Sequence, residues 1–172
     1  LRSLIERDPG YSVVAARVLL SRIYKEVIGA DVIDFSKLEE QHRDAFAASI
    51  RKAVSLQRLD PRMLEFNLPE IASKMALDRD NKFVYLGLQT IYDRYLMRDS
   101  DTKWLLETPQ MFWMRVAMGP ALNEQDKVAW TDQFYRIMSE FLYTPSTPTL
   151  FHAGTMKPQL SSCYLNTVPD SL

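Results

Sequence analysis

The residues that could do chemistry in this chain are few, and most of them gather near its end. Cys163 is the only cysteine among 172 residues and follows Ser161-Ser162. Before it come a proline-punctuated turn, Thr147-Pro148-Thr149, then Leu150-Phe151-His152 and a Gly-Thr bend, Ala153-Gly154-Thr155. On residue type alone, one cysteine in a short strand is a small buried hydrophobe. The histidines offer a second chemistry. Glu39-Glu40-Gln41-His42 contains Glu-x-x-His, the ligand pair that di-iron carboxylate bundles present from a helix. Such a site needs a second copy, and the other histidine, His152, has Thr149 three positions before it, so no metal site is expected. Glu39 fits better as the acidic half of a capping box opened by Ser36, which leaves His42 solvated. Ala153-Gly154-Thr155-Met156-Lys157 lacks the first glycine and the Gly-Lys step of a phosphate loop, so Lys157 is expected to be a solvated turn charge.

Several function classes are disfavoured by the bulk properties. A formal net charge of −1 leaves no electrostatic footprint for nucleic acid or a membrane surface. No apolar run approaches a membrane span, and Val13–Leu20 is interrupted by Arg17. The opening Leu1-Arg2-Ser3-Leu4 is no signal peptide, and the missing initiator Met predicts a processed or cut N-terminus. One cysteine allows no internal disulfide, so a reducing cytoplasm is the expected setting. With 47% hydrophobic and 25% charged residues, the chain can bury a core as one domain or one domain plus a piece of the next.

The elements that must position these residues are mainly α. Only five glycines and long 3.6-period stretches support that fold class. A first helix is predicted from Ser12, its cap, to Ile28, with Gly29 as its stop. A second should start at Ser36, bury Phe46, Ile50, Val54 and Leu56, and end before Asp60-Pro61. Pro69 opens a short helix, Asp78–Asn81 reads as a turn, and Tyr85 to Leu96 recurs at helical spacing. Arg98 to Lys103 reads as a charged loop. Pro109 is placed as the first residue of a helix, Gln110 to Met118, that is apolar all round and should be buried. Gly119-Pro120 ends it, and Asn123 caps a last long helix. From Tyr143 the character changes, with Pro145, Pro148 and Pro158 barring one long helix. Leu160–Leu165 is the strand candidate. Without sheet partners of its own, it is expected either to be disordered or to pair with another chain. Residues 1–143 are read as a helical domain and 144–172 as the start of another.

Four segments, in order along the chain, carry a resemblance. They are Asp8-Pro9-Gly10-Tyr11 with Ala15–Leu20, Tyr85–Leu96, Glu107–Ala117, and Ser146-Thr147-Pro148-Thr149 through Ala153-Gly154-Thr155 to Pro158–Leu165. Together they resemble the class I ribonucleotide reductase large (alpha) subunit: its multi-helix N-terminal domain followed by the first strand of its catalytic α/β barrel. Gln159-Leu160-Ser161-Ser162-Cys163 is the form similar to class I. The resemblance implies an oxidoreductase that reduces ribonucleotides to deoxyribonucleotides by radical chemistry. Cys163 would be one of its two redox thiols, since a two-electron reduction ends in a disulfide between two sulfurs. Thr149 and Ser162, with Cys163, would hold the substrate, because short hydroxyls and adjacent amides suit ribose or phosphate oxygens. Asp170, Ser171 and Leu172 would lie in the effector site.

The same resemblance implies that this piece binds no cofactor. The intact enzyme would take its radical from a metal-containing small subunit and its regulation from dNTP and ATP effectors. Expected partners are the rest of the large subunit, the radical-generating small subunit, the ribonucleotide substrate and a thioredoxin- or glutaredoxin-type reductant. Neither nucleic acid nor membrane is expected. The family needs further cysteines, and an ATP cone precedes the first helix in many members. Both are absent from this sequence, in which only nine residues follow Cys163. The chain is therefore expected to be inactive alone. Two rival readings remain: a non-catalytic helical interaction module with Cys163 in its core, and a helical di-iron protein.

Overall fold

A computed structural model describes residues 2–29 and 37–168. Among these residues seven α-helices form the body: α1 (Gly10–Ile28), α2 (Leu38–Ser55), α3 (Leu68–Ser73), α4 (Tyr85–Arg94), α5 (Pro109–Ala121), α6 (Lys127–Ser139) and α7 (Thr147–His152). Short 3-10 helices lie at Arg2–Leu4, Pro61–Glu65 and Leu77–Lys82. Helix α5 packs along α6, α1 along α4, and α2 along α3. As its composition predicts, α5 is the central rod, with Pro109 through Met118 all buried.

Local chemistry sets most helix ends. Gly29 closes α1 in the left-handed region at φ 73°, which a residue without Cβ adopts freely. Asp60 accepts a hydrogen bond from the Arg62 amide and caps the 3-10 turn. Asn67 does the same for α3 through Glu70, with Pro69 in the first turn. Two ends are closed by bulkier residues at positive φ, Gln57 (55°) after α2 and Phe141 (60°) after α6. Both make the paired bonds of a Schellman closure. Gln57 and Arg58 donate to Val54 and Ala53, and Phe141 and Leu142 donate to Met138 and Ile137. The Phe141 ring packs against Phe83 at 4.9 Å and Trp113 at 6.1 Å, contacts that offset the backbone strain.

Several expectations need correction. Ser12 does not cap α1. The helix starts two residues earlier, where the Asp8 carboxylate accepts from the Gly10 amide, and the Ser12 hydroxyl instead accepts from the Tyr85 amide. Ser36 lies outside the described residues. Glu39 pairs with Arg43 one turn on, and α2 has no side-chain cap. His42 is not solvated but fully buried, because it continues the Phe46–Ile50 stripe at a spacing of four. Asp78–Asn81 belongs to a 3-10 helix, and Asp80 is buried. Pro120 does not stop α5, which runs one residue further; so near the end, proline removes only one intrahelical bond. Asp126, not Asn123, caps α6 by accepting from the Ala129 amide. Asn123 instead accepts from Arg62.

Leu160–Leu165 is not a strand. It runs as exposed chain with no ladder, and Leu165 is fully exposed. A strand is held by the backbone of a neighbour, and none lies beside it among the described residues. The sheet-like pairing there is limited to two isolated bridges, Leu59 with Thr155 and Arg98 with Leu105.

Candidate functional site

Thr149 sits in α7, where Pro148 occupies the first turn and Ser146 the extended position before it. The Thr149 hydroxyl donates to the Leu160 carbonyl at 3.0 Å, and Ser146 Oγ lies 3.5 Å from the same oxygen. His152 Nδ1 meets the Gln159 carbonyl at 3.1 Å. Helix α7 thus steers the chain leading to Cys163. Beyond Leu160 the contacts are local. Ser161 Oγ donates to the Cys163 carbonyl, Ser162 Oγ lies 3.8 Å from Cys163 Sγ, and the Tyr164 hydroxyl donates to Gln159. Cys163 is exposed, so it is not a core residue in this chain. No hydrogen bond joins Thr149 to Ser162 or Cys163, and Asp170, Ser171 and Leu172 lie outside the described residues.

The turn carrying Thr149 is fixed from below by a buried ion pair that the sequence reading passed over. Arg115, in the middle of apolar α5, donates Nε and Nη2 to the two oxygens of Glu107 at 2.8 and 2.9 Å. Its remaining arm, Nη1, donates to the Ala153 carbonyl at 3.0 Å. Glu107 also accepts from the Met97 amide at 2.8 Å. Both charges are buried, so the fork geometry and the extra bonds are what make the pair tolerable. The signal was present as an arginine inside a run of Met, Phe, Trp and Val, which implies a buried partner. The Gly154 carbonyl accepts from the Asp60 amide. At Gly119, a Cβ would sit 2.6 Å from the Gly154 amide nitrogen, so the two backbones approach as closely as only glycine allows.

A second buried polar chain crosses the body. The Tyr24 hydroxyl donates to Asp80 at 2.5 Å, Gln110 donates to the other Asp80 oxygen at 2.6 Å, and Tyr135 donates to Gln110 at 2.6 Å. Burial pushes the Asp80 carboxyl up to about 6, against the pull of these donors, and the Tyr135 hydroxyl up to about 12. It also raises Tyr24, which the neighbouring Asp80 charge raises further. His42 packs edge-on to Tyr24 at 4.6 Å, and burial lowers its pKa. This network braces α1, α5 and α6 rather than facing the Cys163 segment. Among the described residues, no group of three or more His, Cys, Asp or Glu could hold a metal, and no helix is long and apolar enough to cross a membrane.

Residues 81–158 match the family model for the ribonucleotide reductase all-alpha domain. Over 99% of its length, the chain is 48% identical to the ribonucleoside-diphosphate reductase subunit alpha of Chlamydia trachomatis. The chain belongs to the ribonucleotide reductase large-subunit family. It is also 36% identical, over 95% of its length, to the Helicobacter pylori alpha subunit, and 30% identical, over 98%, to the Caenorhabditis elegans large subunit. It spans only 16% of the chlamydial relative and 20% of the other two, so it corresponds to a small part of a ribonucleotide reductase large subunit. Helices α4 to α7, the Glu107–Arg115 pair and Gly154 all fall inside the all-alpha domain match; Cys163 lies just beyond it.

Proposed function

We propose that this chain supplies one redox thiol and part of the substrate pocket to a ribonucleoside-diphosphate reductase. Cys163 is the electron donor, Thr149 and Ser162 hold the ribonucleotide, and Asp170, Ser171 and Leu172 contact the effector. Residues 144–172 begin the catalytic barrel, whose remainder comes from the rest of the large subunit. A small subunit supplies the radical, a thioredoxin- or glutaredoxin-type protein restores the thiols, and the assembly works in the cytoplasm.

The balance of the reaction fixes what Cys163 must do. Replacing the 2′-hydroxyl of a ribonucleotide by hydrogen releases water and takes two electrons. Two thiols provide these and close to a disulfide. Cys163 is the chain's only cysteine, so the second thiol lies elsewhere in the enzyme. The radical opens and closes the cycle without changing this two-electron balance.

The observation that carries the reading is the exposure of Cys163 at the end of a segment steered by α7, whose following turn Arg115 anchors, in a chain nearly half identical to a reductase alpha subunit. The rival helical module needs Cys163 in a core. A native thiol titration should show Cys163 reacting with a disulfide reagent as fast as in denaturant. The decisive assay combines this chain with the missing large-subunit polypeptide, the small subunit, a ribonucleoside diphosphate and a dithiol. Cys163→Ser should lower turnover by roughly 1,000-fold or more, the scale of losing a group that forms bonds in the reaction. Turnover that survives the substitution would return the module reading.

A further inference from the structure

A groove of about 530 Å³ is lined in part by Phe151 and His152 of α7, and neither Thr149 nor Leu160 lines it. One wall is the turn after α2, with Gln57 and Arg58. A second is the end of α4, with Arg94 and Tyr95. The third is the chain from Phe151 to Lys157. Arg58, Arg94 and Lys157 are all exposed, and none has an ion-pair or side-chain hydrogen-bond partner among the described residues. Arg115 also reaches the groove, but Glu107 already neutralises it. Among the described residues no carboxylate lines the groove, although acidic residues outnumber basic ones in the chain, 22 to 21. Among the described residues, three cations without a partner and no anion on one concave surface are therefore a local separation of charge, which draws anions to it.

The walls are preorganised. Leu59 pairs with Thr155 in an isolated bridge, and the Asp60 amide donates to the Gly154 carbonyl, so the first and third walls are tied together. Gln57, held at φ 55°, fixes the direction in which Arg58 leaves the body. Two guanidiniums and an ammonium lining one groove suit more than one phosphate, since arginine meets phosphate oxygens through a planar fork. Tyr95 and Phe151, with ring centroids 4.8 Å apart, give the same groove an aromatic surface.

We infer that this groove is a seat for a polyphosphate group. It goes beyond the thiol function, and Cys163 does not line it, so either reading can fail without the other. The test is calorimetric titration of the full chain with inorganic pyrophosphate and with ADP at moderate salt. Saturable binding is expected, weakened at least about tenfold by the double substitution Arg58→Ser, Arg94→Ser, the scale of losing charge-assisted contacts. Lys157→Gln should weaken it about threefold, and Lys74→Ser, exposed elsewhere, should leave it unchanged. ADP binding more tightly than pyrophosphate identifies a nucleotide as the source of the phosphates, and equal affinities identify a free polyphosphate. No saturable binding, or binding that the double variant retains, overturns the inference. So does a Glu-rich peptide that displaces pyrophosphate at a lower concentration than pyrophosphate itself needs.

Discussion

The helical body and the chain beyond Leu160 handle their polar groups in opposite ways. In the body, polar side chains go inside and find each other across long sequence distances: Tyr24 with Asp80, Gln110 with Tyr135, Glu107 with Arg115. Beyond Leu160 every described side chain is exposed, and the contacts reach five residues at most. Among the described residues, the region bearing the thiol makes only local hydrogen bonds of its own. Its placement is borrowed, through Thr149 and His152, from a turn that the body holds by Arg115 and Gly119. The scaffold that places the thiol therefore lies earlier in the sequence than the thiol itself.

Substitutions can break this contrast, the most damaging first. Glu107→Gln leaves the Arg115 charge buried without its counter-ion. It should cost about 3–5 kcal/mol, the loss expected on breaking a buried pair, read from urea unfolding. Asp80 comes next, through pH. Its carboxyl ordinarily titrates near 3.8 and is pushed up to about 6 in the fold, so the folded state holds the proton more tightly. The stability this confers is complete below about pH 4 and is lost as pH rises through about 6. At 1.36 kcal/mol per pKa unit the loss comes to about 3 kcal/mol. His42, buried and lowered, acts the other way: its contribution is lost as pH falls below the ordinary imidazole range. The stability difference between the native chain and Asp80→Asn therefore isolates Asp80, and it should shrink by about 2 kcal/mol of that total from pH 4 to 6.

Gly119→Ala tests the close approach beneath the turn. The new methyl would lie 2.6 Å from the Gly154 nitrogen and 2.8 Å from the Ala153 Cβ. It should cost about 1–3 kcal/mol, as overpacking does, and expose residues 144–168 to limited proteolysis. Gln57→Gly removes the strain of a side chain at positive φ and should raise the thermal midpoint, by about 1 kcal/mol in stability. Leu165→Ser, at a fully exposed position, should change stability by less than about 0.5 kcal/mol. A larger effect would mean that this segment packs after all.

Most of the body could be read from periodicity and punctuation. Gly29, Pro109, the apolar run 111–118 and the stop before Asp60-Pro61 are local signals with local outcomes. The errors fell on residues whose fate depends on distant partners. His42 and Asp80 look like surface residues in a window of ten, because the groups that cover them come from other helices. Asn123 and Asp126 are equally good caps by type, and only the onset of α6 decides between them. Leu160–Leu165 has strand composition, but composition supplies no neighbour. The groove lined by Arg58, Arg94 and Lys157 could not be read at all, since it joins positions near 57, 94 and 157.

Arg115 also sets an order of events during synthesis. The ribosome releases Glu107 and Arg115 well before Ala153, which lies 38 residues further on. At roughly 5–20 residues per second, the nascent helices wait roughly 2–8 s for that carbonyl. Until it emerges, one arm of the guanidinium is bare, at a cost of about 1–3 kcal/mol if it is buried without an acceptor. Translation therefore completes the interior in the same step that delivers the loop it carries, and a polypeptide stalled before Ala153 would be marked by an unfinished core.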